Sequence, residues 1–189
     1  GIAFIFLAID QIQLGFAAMT RIDLTALGGE GMAGTLLMVL AGALLTVVVQ
    51  SSHATLMLTL AALAAGQLSP AQSLAIAIGS NVGSSVSTAV MGFVGGNRAG
   101  QRLALAHVVF NLGTAVVALL ALPLLQALVL WLTGWVGMGS NALIQLALFH
   151  TLFNALGVAL FWPWQDAFAR ALQRALPDRA GQDGLVGQI

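Results

Sequence analysis

The chain of 189 residues contains no cysteine, no tyrosine and no lysine, and only four prolines. Without cysteine, disulfides and thiolate metal sites are excluded, although the redox compartment stays open. Charge is scarce too: 6% of residues are Asp, Glu, Lys or Arg, against about 25% in a soluble globular protein. Six arginines balance six acidic residues, so the overall charge invites neither nucleic acid nor an acidic partner. What is abundant is apolar surface, at 59% of residues, together with 22 glycines. Such a composition describes an all-α integral membrane protein with one membrane domain. The chain enters an apolar run directly from Gly1, with no Met and no basic segment before it. That beginning reads as a piece of a longer chain rather than a signal peptide.

A bilayer core of about 30 Å takes ~20 apolar residues as a helix. Residues 2–20 nearly reach that length but carry Asp10, Gln11 and Gln13, and 21–30 form a polar connection. Asp10 is either an intramembrane carboxylate with a functional role or an interfacial residue. The apolar run 31–49 stops at Gln50-Ser51-Ser52-His53-Ala54-Thr55, and the apolar arm 56–65 that follows is about half a span. Two arms meeting at a polar tip predict a re-entrant helical hairpin over about 31–66. Ser69-Pro70-Ala71-Gln72 predicts a helix start, with Ser as N-cap, Pro at the first position and Gln closing a capping box. The helix over about 70–94 is expected to be discontinuous, because Gly79-Ser80-Asn81-Val82-Gly83-Ser84-Ser85 lies half-way along it. Plain spans follow over about 103–125 and 142–163, with a shorter apolar piece at 131–138 and a polar, flexible tail at 169–189. Trp131, Trp135, Trp162 and Trp164 flank these spans as an aromatic belt would. The bias of positive residues toward the cytoplasm groups Arg98 and Arg102 with Arg170, Arg174 and Arg179, and puts Arg21 on the opposite side.

Inside a bilayer, non-helical backbone survives only where protein buries it or an aqueous cavity meets it. Broken helices in transporters aim half-helix N-termini at anions and unwound carbonyls at cations. The candidate ligands are therefore Gln50, Ser51, Ser52, His53, Thr55, Gly79, Asn81, Gly83, Ser84 and Ser85. Their hydroxyls and carboxamides donate or accept, and the glycines allow close backbone approach. Tight helix packing is the competing role for small residues of this kind. His107-Val-Val-Phe-Asn111 is echoed by His150-Thr-Leu-Phe-Asn154. Each His and Asn share one helix face, and these pairs are expected to hydrogen-bond neighbouring helices. An intramembrane enzyme acting on a phosphoester or lipid, with His53 or His107 as base, is the alternative; it needs an orienting carboxylate.

Several of these stretches carry a resemblance in combination. Gln50-Ser51-Ser52 with its apolar arm, the Ser69-Pro70 helix start, Gly79-Ser80-Asn81-Val82-Gly83-Ser84-Ser85, the arginine loop and the Ala104–Asn111 stretch resemble the bacterial Na⁺/phosphate cotransporter family. That family is related to the type II sodium-dependent phosphate cotransporters, and the resemblance covers residues 1 to about 168. It implies a secondary transporter, not an enzyme, that couples Na⁺ to inorganic phosphate in the bacterial inner membrane, with Na⁺ as coupling ion and no other cofactor. Gln50, Ser51, Asn81 and Ser84 are the Na⁺ ligands it suggests. Family members carry two inverted repeats, each with a Gln-Ser-Ser hairpin, and this chain resembles the second. The implied partner is a missing first half of the same chain or a second copy; a non-transporting structural membrane subunit is the remaining alternative. The family usually reads Gln-Ser-Ser-Ser and Gly-Ala-Asn-Ile-Gly-Thr-Thr. Here Ser84 and Ser85 keep the hydroxyls, while His53 replaces the third Ser. His53 either hydrogen-bonds phosphate and adds proton sensitivity, or caps a helix and faces water.

Overall fold

The computed structural model describes residues 31–178, together with Leu7, Gln11, Leu14 and Gly15. Asp10, Gln13, Arg21 and Arg179 lie outside the described residues. Residues 31–178 form seven α-helices: α1 (Gly31–Val49), α2 (Ser52–Ala64), α3 (Pro70–Gly95), α4 (Arg98–Leu120), α5 (Leu122–Trp135), α6 (Ala142–Phe161) and α7 (Gln165–Ala175). A short 3₁₀ turn, Trp162–Trp164, joins the last two. No strand occurs among the described residues. α1, α3, α4 and the stretch Ala142–Ala175 that contains α6 are long and apolar enough to cross a membrane.

The helix boundaries follow local chemistry. α2 ends at a left-handed Gly66, φ 72°, where the Gln67 amide donates to the Ala62 carbonyl at 2.9 Å and closes the helix end. α3 begins as the sequence predicts: Ser69 Oγ accepts from the Gln72 amide at 3.2 Å, and the Ser69 amide donates to Gln72 Oε1 at 2.8 Å. α4 stops at Leu120 because Pro123 has no amide to continue the ladder and restarts a helix near its first turn. The expected span over 103–125 therefore closes earlier, and the apolar piece 131–138 belongs largely to α5.

The discontinuity expected within 70–94 is absent: α3 is one helix of 26 residues. Its hydroxyls explain why. Ser80 donates to Ala77 O, Ser84 to Asn81 O and Ser85 to Val82 O, all at 2.7–2.8 Å. Each thus satisfies itself on its own helix and leaves the ladder whole. The glycines serve packing instead. A Cβ on Gly42 would strike the Ile76 carbonyl, one on Gly79 the Val39 carbonyl, and one on Gly83 the Ala43 carbonyl. α1 and α3 therefore run side by side in the same direction with their backbones in contact, as small-residue seams allow. The core lies beside this seam, where Ile78, Leu146, Phe149 and Phe153 are almost wholly buried.

The tail also departs from expectation. Residues 165–175 form an amphipathic helix whose Phe168 ring packs 5.4 Å from Phe161. Arg102 Nε donates to the Leu176 carbonyl at 2.8 Å, and its Nη2 pairs with Asp178 at 2.8 Å. Arg98 and Arg102 thus share one end of the bundle with α7, the grouping that the charge bias predicts. All six charged residues among those described lie in the first turns of α4, in α7 or just beyond it.

The seam makes a stability prediction. Gly79→Ala is expected to destabilise the protein by about 1–3 kcal/mol through overpacking. Gly134→Ala, where a Cβ meets nothing within 4 Å, should be neutral or stabilising by up to ~1 kcal/mol. Thermal unfolding in detergent checks both; equal Tm values for the two variants would refute the seam.

Candidate functional site

α1 stops at Val49 because Gln50 takes a left-handed conformation, φ 59°, a strained choice for a residue with a Cβ. Ser51 follows in extended backbone and caps α2, its Oγ accepting from the Ala54 amide at 3.2 Å. The Gln50 amide donates to Thr46 O at 2.7 Å, and its side-chain amide donates to Val47 O. Two fully buried threonines lock the arms together. Thr46 Oγ1 donates to Thr55 Oγ1 at 2.8 Å, and Thr55 Oγ1 in turn donates to Ser51 O at 3.2 Å. Neither Thr46 nor this lock was visible in the sequence; a lone hydroxyl one turn before the break was its only signal.

The tip joins opposite ends of two helix dipoles. The last carbonyls of α1 and the first amides of α2 lack intrahelical partners, so a partly negative and a partly positive backbone end meet there. They border an open cavity of about 490 Å³ lined by Gln50, Ser51, Ser52, His53, Ser84, Ser87, Thr88 and Met91. On the α3 side, the hydroxyls of Ser84, Ser87 and Thr88 donate to the carbonyls of Asn81, Gly83 and Ser84. Their protons are spent on their own helix, which leaves oxygen lone pairs available. The α3 wall thus suits a cation, and the α2 amides suit an anion.

Of the residues singled out in the sequence, the cavity gathers Gln50, Ser51, Ser52, His53 and Ser84. Gly79 and Gly83 face α1, Ser85 is buried and donates to the Val82 carbonyl of its own helix, and Thr55 belongs to the lock. Asn81 is buried, and its Nδ2 donates to Asn154 Oδ1 at 3.3 Å. Ser87 and Thr88 are additional lining residues; their i+3 and i+4 spacing from Ser84 was the available signal.

The two His/Asn pairs behave differently. Asn111 Nδ2 donates to the His107 carbonyl at 3.0 Å, within its own helix rather than to a neighbour. His107 instead lines an apolar cavity of about 530 Å³ with Leu103, Phe110 and Phe168. Asn154 Nδ2 likewise donates to the His150 carbonyl at 2.7 Å, yet its Oδ1 also reaches Asn81. The His150 ring lies 6.4 Å from that of His53. α6 thereby lies beside the start of α2.

The residues of the tip and of the helix facing it fall within a stretch that matches a known family by sequence. The profile described as Na⁺/Pi-cotransporter matches residues 4–162, most of the chain. The chain belongs to the Na⁺/Pi-cotransporter family. Consistent with that family and with four apolar helices of spanning length, it is an integral membrane protein. It is 34% identical over 140 residues to the uncharacterised protein YqeW of Bacillus subtilis (strain 168). That match takes in 73% of this chain but 43% of the relative, so the chain spans less than half of YqeW. No solved structure matches.

The threonine lock is testable by its asymmetry. Thr55→Val strands the buried Thr46 hydroxyl and should cost about 1–3 kcal/mol, whereas Thr46→Val leaves the Thr55–Ser51 bond intact and should cost less. The double variant keeps no stranded hydroxyl and is expected to be more stable than Thr55→Val alone. Unfolding in detergent measures the cycle, and simple additivity would count against the lock.

Proposed function

We propose that the chain is a transport half of a secondary transporter that couples Na⁺ to the movement of inorganic phosphate, resembling the second of two inverted repeats. The observation that carries this reading is the Gln50–Ser51 break, where carbonyl ends, amide ends and hydroxyls converge on one polar cavity. Phosphate oxygens take the Ser51 and Ser52 hydroxyls and the free amides of α2. Na⁺ takes carbonyls at the end of α1 together with the Gln50 and Ser84 oxygens. Asn81 acts through Asn154 and α6 rather than as a Na⁺ ligand. Binding then stabilises one closed arrangement, and a shift of the half alternates access.

Geometry supports a re-entrant hairpin. The 13 residues of α2 reach about 20 Å, short of the ~30 Å apolar core. Gln50 and Ser51 share their cavity with Ser84–Met91 of α3, which continues to Gly95. The tip therefore stops on the order of 10 Å before α3 does. The cavity is open on one side, where a first half of the same protein, or a second copy, completes it. The arginine end faces the cytoplasm of a bacterial inner membrane. The enzyme reading finds little support: the ion pair found among the described residues joins Asp178 to Arg102, and no bond from a carboxylate to His53 or His107 is seen among them.

Uptake into proteoliposomes is the test. Phosphate flux should require Na⁺, and Ser51→Ala with Ser52→Ala should raise KM for phosphate about tenfold or more, equivalent to ~1.4 kcal/mol. Flux indifferent to Na⁺ rejects symport; unchanged KM in a variant that still unfolds cooperatively rejects the site.

A further inference from the structure

We propose that the groove between α4 and α7 binds one anionic phospholipid, with its phosphate at Arg98 and Arg102 and an acyl chain along Ala106 and Phe110. Nothing in this depends on what the hairpin tip carries. The groove is the open apolar cavity of about 530 Å³ lined by Thr88, Leu103, Ala106, His107, Phe110 and Phe168. Phe168 walls it from the α7 side, held there by its packing against Phe161. On α4, Arg98, Arg102, Ala106 and Phe110 recur at every fourth position and are all half-buried, so they follow one another down one side of the helix. Two guanidinium groups therefore stand above an apolar wall.

Depth in the bilayer suits the same ligand. The 23 residues of α4 reach about 35 Å, against ~30 Å for the hydrocarbon core. With Leu120 at one boundary, Arg98 and Arg102 arrive among the headgroups of the opposite leaflet, while Ala106 and Phe110 lie within hydrocarbon. Trp162 and Trp164, both widely exposed, mark that level from the end of α6. Charge selects the head. Four arginines and two aspartates are the charged residues described at this end, an excess of positive charge. Arg102 is partly engaged, since Nε donates to the Leu176 carbonyl and Nη2 pairs with Asp178. Arg98 makes no ion pair among the described residues: its Nη1 donates to Gln101 Oε1 at 3.0 Å, and its Nε is buried with no hydrogen-bond partner among them. Such a donor costs stability until an acceptor reaches it, and phosphate oxygens match the guanidinium fork. An acidic protein segment or a free phosphate would satisfy the arginines and leave the groove empty. A phospholipid meets both with one molecule.

The test is titration of the detergent-solubilised protein with short-chain phosphatidylglycerol or phosphatidylcholine, with bound lipid counted by native mass spectrometry. The parent protein is expected to prefer phosphatidylglycerol by about fivefold or more, the gain from one arginine at an anionic surface. Arg98→Gln should bring that preference toward unity by weakening phosphatidylglycerol alone, and Arg98→Lys should restore part of it. Ala106→Trp, which fills the groove, should weaken both lipids. Equal binding of the two lipids by the parent protein overturns the proposal, as does a preference that survives Arg98→Gln. Glycerol phosphate competing as well as the lipid would reveal a site for a free oxyanion and overturn it too. So would lipid binding unchanged by Ala106→Trp in a variant that still unfolds cooperatively.

Discussion

The seam in which α1 lies backbone to backbone against α3 fixes everything else among the described residues. Gly42, Gly79 and Gly83 remove the side chains that would hold the helices apart, and in a membrane such contact relies on packing rather than on expulsion of water. Because the two helices run in the same direction, the end of α1 arrives beside the Ser84–Thr88 face of α3. A seam one turn further along α3 would set the Gln50–Ser51 break beside Met91, Gly92 and Gly95, with fewer hydroxyls to meet its carbonyls and amides, and backbone groups without partners inside a bilayer cost several kcal/mol. Packing of small residues thus places the polar tip, and the tip in turn depends on the Thr46–Thr55 bond to keep its arms together.

Much of this was legible in the sequence, for identifiable reasons. The Gln50–Ser51 break could be read because the arm after it is too short to span and because Ser-Ser is a poor place to continue an apolar helix. The capping box at Ser69 could be read because its residues form bonds only with one another. The second break could not, since Gly79-Ser80-Asn81-Val82-Gly83-Ser84-Ser85 has the composition of a ruptured helix and of a packing seam alike. What separates the two is the position of another backbone, a fact with a long sequence separation that no local pattern carries. The same limit hid the meeting of His53 with His150, and made Asn111 look like a bond to a neighbour when its own helix satisfies it.

Charge is distributed with similar economy. Among the described residues it is confined to the end where Arg102 binds Leu176 and Asp178, and there it joins α7 to the start of α4. Trp131 and Trp135 stack before α6, and Trp162 and Trp164 follow it, all widely exposed. Aromatic anchors thus bracket a span on both sides, while a fixed charge marks only one of them. The other described residues carry no Asp, Glu, Lys or Arg.

That neutrality constrains how an anion can be held. A phosphate placed at the tip, where no Lys or Arg lies among the described residues, must be balanced by helix-end amides, by a companion cation, or by a protonated imidazole. Amides alone contribute a partial charge of roughly half a unit per helix end, too little for an anion carrying one or two charges. In the proposed transporter a cation on the carbonyl end of α1 would supply the remainder, and at a separation of about 4 Å its attraction for the anion would be ~4 kcal/mol at an effective dielectric of 20. The same attraction makes each ion bind better when the other is present, which is the energetic content of coupling. An arginine at this place would supply that charge permanently, and binding of an anion there would then no longer depend on a companion cation.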